Sequence, residues 1–182
     1  MRVICISGKA RHGKDTAAAF LKTLLEGNGE KVLVIHYADY LKFICQNYYG
    51  WDGKKDEAGR TLLQYIGTDL VRQRDPGFWV RILSETLAVL DGEWDTVIIP
   101  DCRFPNEVFG LIGAGFDTTH VRIVRPHYYS EMTAAQMAHP SETAMDGVVP
   151  DGVIVNDGTL KDLGDAVTNW YYDTFYTQEE LL

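Results

Sequence analysis

At 182 residues and 46% hydrophobic content, the chain can bury a core of its own and reads as a single domain, 1–182. Its formal net charge of −9 argues against a broad basic face for a nucleic-acid polymer, but it leaves room for a cleft where a few cations meet a small anion. No apolar run approaches the roughly 20 residues of a membrane span. The cysteines Cys5, Cys45 and Cys102 are scattered with no C-x-x-C pair, which suits reduced thiols in a cytosolic setting rather than a disulfide framework or a zinc site.

Val3 to Ser7 is a short apolar run with the character of a buried strand, too brief and too quickly followed by glycines to be a signal peptide. Lys14 to Leu25 carries Phe20, Leu21, Leu24 and Leu25 at helical spacing, and Gly27-Asn28-Gly29 ends it. Val32 to Tyr37 predicts a second strand and Ala38 to Tyr48 a helix. A polar, turn-rich stretch from Gly50 to Gly59 follows. Leu62, Leu63, Ile66 and Leu70 then mark one helix, and Trp79, Ile82, Leu83, Thr86, Leu87 and Leu90 the next.

Thr96 to Pro100 predicts a third strand, and Pro105 opens a helix as its first residue, closed by Gly113 and Gly115. His120 to Val124 is a fourth strand and Val153 to Val155 a fifth. Thr159 and Asp162 form a capping-box-like start to a last helix with Leu160, Leu163, Val167 and Trp170 inward. Strands alternating with helices predict an α/β fold with a mostly parallel sheet, whose ligands sit beyond the carboxyl ends of the strands. The chemically suggestive residues fall there: the loop after strand one, Asp39, Asp101 with Arg103, Arg125, and Asn156-Asp157-Gly158.

The loop Gly8-Lys9-Ala10-Arg11-His12-Gly13-Lys14-Asp15-Thr16 has the G-x-x-x-x-G-K pattern of a phosphate-binding loop, between a strand and a helix. Glycines let backbone N–H groups converge on an anion at the helix N-terminus, and Lys14 adds a mobile positive charge. Asp15 stands where a Ser or Thr ligand of magnesium is usual. A carboxylate there is an acceptable magnesium ligand, or a structural group favoured by the helix dipole, or damage that repels a triphosphate. At the end of strand three, Asp101 can hold a magnesium-bound water and Arg103 can grip a phosphate through its planar fork.

With Gly13-Lys14-Asp15-Thr16, Leu63-Gln64-Tyr65-Ile66-Gly67-Thr68-Asp69-Leu70, Trp79-Val80, Ile99-Pro100-Asp101-Cys102-Arg103 and Asn106-Glu107, the chain resembles the deoxynucleoside monophosphate kinases of tailed bacteriophages. Val124-Arg125-Pro126, His139-Pro140-Ser141-Glu142 and Val155-Asn156-Asp157-Gly158 continue the resemblance, which is weakest over 46–60 and in the aromatic tail. It implies a P-loop nucleoside triphosphate hydrolase fold with a five-stranded core, a monophosphate-binding helical region near 38–92 and a lid near 125–146. It also implies transfer of the ATP γ-phosphoryl group to a deoxynucleoside monophosphate, with magnesium, in a host cytoplasm if the gene is a phage's. Asp15 is then the usual residue of this loop.

On this resemblance Gly8, Arg11, His12, Gly13, Lys14, Asp15 and Thr16 hold the ATP phosphates, and Asn156, Asp157 and Gly158 its adenine. Asp15 and Asp101 serve the metal. Arg125 is the candidate internal arginine finger, joining Lys14, Arg103 and Asp101 in the catalytic set. Asp39, Lys42, Gln64, Thr68, Arg72, Trp79, Arg103, Glu107 and Glu142 form the expected substrate side, although Trp79 is equally in step with core positions. His139 and Glu142 can share a helix face, and an ion pair holding the lid closed is the role expected of this element. The tail from Trp170 to Tyr176 can pack on the sheet or against a second subunit, which leaves a homodimer open. Two other readings remain: a P-loop kinase of another phosphorylated small molecule, as in the phosphomevalonate kinases of animals, and a non-catalytic nucleotide-binding regulatory module.

Overall fold

A computed structural model describes residues 1–130 and 132–176; residue 131, inside the expected lid, and the end of the chain lie outside the described residues. Five parallel strands form one sheet in the order β2-β3-β1-β4-β5, with β1 at Arg2–Ser7, β2 at Val32–Val34, β3 at Thr96–Cys102, β4 at Asp117–Val124 and β5 at Gly152–Val155. Central β1 is hydrogen-bonded on both sides and buried on both faces, which is why its sequence is an unbroken apolar run rather than an alternating one.

The two-residue period of β1 sends Ile4 and Ile6 to one face and Val3 and Cys5 to the other. The first face is covered by α1 (Lys14–Gly27) and α8 (Leu160–Phe175), through Leu21, Leu25, Leu163, Val167 and Tyr171. The second is covered by α4 (Phe78–Val89) and α5 (Pro105–Gly113), through Val80, Leu83, Leu87, Val108 and Leu111. Between β2 and α4 lie α2 (Ala38–Tyr48), α3 (Glu57–Gln64) and a π-helical segment (Tyr65–Arg72). Two short helices, α6 (Ala134–Ala138) and α7 (Pro140–Thr143), lie between β4 and β5.

Four expectations change. The second strand stops at Val34, because Tyr37 N and Ala38 N turn to donate to the Asp101 carboxylate, each at 2.9 Å, and start α2 there. The helix expected around Gly67 is α-helical only to Gln64, then bonds i→i+5 through Arg72. At Gly67 the backbone presses on Leu41, whose Cδ2 would lie 2.7 Å from an added Cβ, and the Gly67 carbonyl accepts from Trp79 Nε1 at 2.9 Å. Leu160 is 68% exposed at the first position of α8, while Leu163, Val167 and Trp170 point inward as expected. The His139–Glu142 pair does not form across one helix face, because His139 is the N-cap of α7 and its nearest acid is Asp69 at 3.4 Å.

The tail packs on its own sheet. Tyr171 is fully buried and its hydroxyl donates to Glu30 at 3.2 Å, while Arg2 pairs with Glu30 at 2.9 Å and lies 4.5 Å over the Phe175 ring.

One buried ion pair locks the π-helical segment to α5. Arg72 meets Glu107 at 2.5 Å, donates to Asn106 Oδ1 at 2.9 Å and stacks 3.9 Å from the Phe104 ring centre. The other Glu107 oxygen accepts from Arg103 N at 2.6 Å and Phe104 N at 3.1 Å, capping α5. Burial pushes the Glu107 carboxyl up to about 7, against the pull of Arg72 and these two N–H groups. Replacing Glu107 with Ala leaves a guanidinium buried without its counter-charge and is expected to remove about 3–5 kcal/mol of stability, read by urea unfolding; a loss below about 1 kcal/mol would contradict the lock.

Candidate functional site

The site is built on the carboxyl end of β1. Gly8 leaves the strand at φ +139° so close to β4 that an added Cβ would lie 2.4 Å from the Ile123 carbonyl oxygen. Gly13, at φ +97°, caps α1 where a Cβ would meet the Asn156 amide at 2.6 Å. Neither position accepts a side chain, so the loop's glycines follow from its packing between β4 and the end of β5. Arg11, at φ +60°, is a non-glycine residue held in the left-handed region inside this loop.

Lys14 is 8% exposed, and its ammonium donates to the carbonyls of Gly8 at 2.8 Å and Lys9 at 2.9 Å. Burial, then repulsion from Arg103, lowers its pKa to about 8, with Glu142, Asp15 and Asp101 pulling the other way. Asp15, exposed on the first turn of α1, lies 3.4 Å from His36 Nε2. That contact holds the Asp15 carboxyl below its usual range and raises the His36 pKa. Asp101 is tied to α2 through both oxygens, each of which keeps one lone-pair direction after its N–H bond.

Two cavities meet at the loop and share Arg11, Lys14 and Asp15. The smaller, about 350 Å³, lies toward Thr16, Arg125, Asn156, Gly158 and the exposed Leu160. The larger, about 660 Å³, lies beneath α2, α3, the π-helical segment and α7. Seven Lys and Arg side chains line it against four carboxylates, although the whole chain carries a charge of −9. It also has an apolar wall of Leu41, Leu63 and Phe104, suited to a flat ring rather than to a bare anion.

Most of the residues singled out in the sequence converge here. Lys42, Gln64, Thr68, Arg72, Trp79, Asp101, Arg103, Glu107 and Glu142 all border the larger cavity, and Gly13, Thr16, Arg125, Asn156 and Gly158 the smaller. Asn156 Nδ2 donates to the His12 carbonyl at 3.0 Å, bracing the loop. His12 accepts from Arg125 N at 3.2 Å through Nδ1, and Arg125 extends over the Tyr128 ring at 4.9 Å. Gly8, His12, Asp39 and Asp157 border neither cavity. Asp39 instead pairs with Lys42 at 2.9 Å and accepts from His36 N at 3.1 Å, and Asp157 is exposed.

Several substrate-side candidates have their polar groups engaged within the protein: besides Asp39 with Lys42 and Arg72 with Glu107 and Asn106, these are Trp79, Glu107 and Glu142. Trp79 is 5% exposed and spends its indole N–H on Gly67, so it is a core residue showing the cavity an edge. Glu107 is engaged by Arg72 and two backbone N–H groups. Glu142 pairs with Arg103 and accepts from Ala10 N in the loop at 3.0 Å. Sequence reading missed His36, Lys55 and Arg60 in the larger cavity, and Lys9, which meets Asp146 at 2.5 Å. Lys55 and Arg60 stand at no strand end, while Lys9 occupies a variable position of the loop after β1 and His36 falls within the run expected as the second strand. Among the described residues no group of three or more His, Cys, Asp or Glu is placed to hold a metal ion by itself, and no helix is long and apolar enough to cross a membrane.

Comparison with known proteins agrees with this geometry. A family model described as deoxynucleotide monophosphate kinase matches residues 28–167, beginning beyond the phosphate loop. The chain is 32% identical over 169 residues to the uncharacterized protein ORF77 of Ictalurid herpesvirus 1 (strain Auburn), covering 92% of this chain and 69% of that protein. It is 33% identical over 112 residues to the deoxynucleotide monophosphate kinase of Enterobacteria phage T4, covering 60% of this chain and 44% of that enzyme. In fold it is similar to the dephospho-CoA kinase from Campylobacter jejuni, with a TM-score of 0.54 at 14% identity over 95% of this chain and 97% of that one. The architecture is thus that of the P-loop kinases, and the chain belongs to the deoxynucleotide monophosphate kinase family.

Proposed function

We propose that the protein transfers the γ-phosphoryl group of ATP to a deoxynucleoside monophosphate, giving the diphosphate and ADP. The observation that carries this reading is the pair of cavities joined at Lys14: one small and flanked by Asn156 and Gly158, one larger, cationic and partly apolar. A donor triphosphate over the loop and an acceptor phosphate at Arg103 would then meet across a single ammonium. The family match and the phage relative support the acceptor class. On this reading 1–182 is one kinase domain, with the acceptor region at about 38–92 and the lid at about 125–146.

The chemistry asks mainly for placement and charge. An oxygen of the acceptor phosphate attacks the γ-phosphorus as the bond to the β–γ bridging oxygen breaks. The acceptor is already anionic at neutral pH and needs no general base. Lys14 leaves the Gly8 and Lys9 carbonyls for the transferring phosphates, and the loop N–H groups hold the β-phosphate. Arg103 grips the acceptor phosphate, and Arg125, at the base of the lid, closes over the donor side as an internal arginine finger. Asp15 and Asp101 offer the hard oxygen ligands that suit Mg²⁺, an ion commonly held by one or two carboxylates together with substrate phosphates. Its chemistry there would be to neutralise charge on the β- and γ-oxygens. Free, buried thiols and viral relatives support a reduced setting such as a host cytoplasm.

An ADP-release assay with ATP, magnesium and each monophosphate, deoxy and ribo, tests the reading. Turnover that requires a deoxynucleoside monophosphate supports it. Turnover only with another phosphorylated acceptor, or without any acceptor, overturns it. Lys14→Ala should lower kcat by about 10²–10³-fold, the scale of one preorganised charge stabiliser, and near-normal turnover in the folded variant would remove the loop from the mechanism. Asp15→Asn should raise the magnesium concentration needed for half-maximal rate, whereas an unchanged metal titration restricts Asp15 to its contact with His36.

The Lys14 environment also sets a pH dependence. A base whose pKa is lowered to about 8 is charged below that pH and loses its proton above it. Therefore kcat/KM for ATP, which reports the free enzyme, should fall on an alkaline limb centred near 8. With nucleotide bound the polyphosphate holds the proton on Lys14, so kcat keeps its plateau to higher pH. A kcat/KM that stays level from about pH 7 to 9.5 would contradict the buried-ammonium picture.

A further inference from the structure

The four-residue helix α7 touches parts of the site that are far apart in the chain. Ser141 lies 3.5 Å from the Gln64 amide, and the Glu142 carbonyl accepts from Lys9 Nζ at 2.6 Å. The Glu142 side chain is only 7% exposed, and its two oxygens do different things. Oε2 accepts from Ala10 N in the phosphate loop at 3.0 Å, and Oε1 pairs with Nη1 of Arg103. That same nitrogen donates to the Ser141 carbonyl at 2.9 Å.

Both contacts of the Arg103 guanidinium therefore fall on a single nitrogen. Its Nη2 and Nε make no hydrogen bond to any described residue and remain for the cavity that Arg103 borders. A guanidinium recognises phosphate best with two parallel N–H groups, and a free Nη2–Nε edge is one such pair. Without an anion, Arg103 and Lys14 would be two like charges sharing one cavity. Glu142 is the counter-charge that keeps the arginine there.

We propose that Glu142 is a positioning residue for phosphoryl transfer. From α7 it ties one corner of Arg103 to the loop amide of Ala10, so that the remaining edge of the arginine is aimed before the acceptor phosphate arrives. The inference rests on the reading of the larger cavity as the acceptor site. It moves Glu142 from the substrate's contacts to the support behind Arg103, and it gives the His139-Pro140-Ser141-Glu142 element a physical role. A carboxylate is required because two acceptor oxygens are used. An amide of the same shape offers one, and its NH₂ group would face another donor.

Two measurements on Glu142→Gln test this in the full-length protein. By ¹⁵N NMR of the free protein, the Arg103 Nη1 and Nη2 signals should be separate in the wild type and averaged in the variant. Averaged signals in the wild type overturn the proposal whatever the activity. In turnover, the variant should raise KM for the acceptor deoxynucleoside monophosphate about 10-fold or more, the usual scale for losing a supporting contact, with a much smaller change in KM for ATP. In an Arg103→Met background the same substitution should change the acceptor KM by less than about twofold, since coupled residues are not additive. Equal losses for both substrates, or full additivity with Arg103→Met, would show Glu142 to be merely structural. If the wild type turns over no deoxynucleoside monophosphate while its Arg103 signals stay separate, the functional reading falls and the positioning stands.

Discussion

The end of β1 has no room for a side chain, and the site follows from that. The strand is central, so its last residues are enclosed by β3 and β4, and the chain leaves it at Gly8 against the Ile123 carbonyl. Five residues later Gly13 starts α1 against Asn156. These two close approaches tie the loop to β4 and to the residue that follows β5, and the helix N-terminus then faces both cavities. A loop held this way has a fixed course, which is the condition under which backbone N–H groups at a helix N-terminus can meet an anion without reorganising.

Around the loop, positive charge is concentrated in a protein that is acidic overall. The cationic lining of the larger cavity would scatter by self-repulsion unless it were held. Two of its arginines have an acid behind them: Glu107 behind Arg72, and Glu142 behind Arg103. Asp101 belongs to the same system in another way, fixing the start of α2 with the two N–H groups it accepts. The carboxylates at this edge are thus largely the framework that holds cations together in one cavity, which is how a −9 chain carries a locally cationic cleft.

Much of this was legible in the sequence because it is local. The apolar run of β1, Pro105 at the start of α5 and the Thr159–Asp162 cap of α8 each depend on neighbours a few residues away. Strand ends of a parallel sheet share one edge by topology, so Lys14, Asp101, Arg103, Arg125 and Asn156 could be gathered without knowing a single distance. What was not legible depends on partners distant in the chain. Val34 ends β2 because Asp101 arrives from β3, and the π-helical turn forms where Gly67 meets Leu41 and Trp79. Glu142 was expected beside His139, three residues away, yet its partners are Ala10 and Arg103. Helical spacing predicts neighbours only within a helix, and α7 begins after His139.

The most direct measurement of the central claim is ³¹P NMR of the protein with ATP, magnesium and a deoxynucleoside monophosphate. The predicted spectrum shows the monophosphate signal replaced by the two coupled signals of a deoxynucleoside diphosphate, in step with loss of the ATP γ signal and growth of ADP. A spectrum in which the γ-phosphate appears only as inorganic phosphate, or in which ATP stays intact beside every monophosphate, would contradict it.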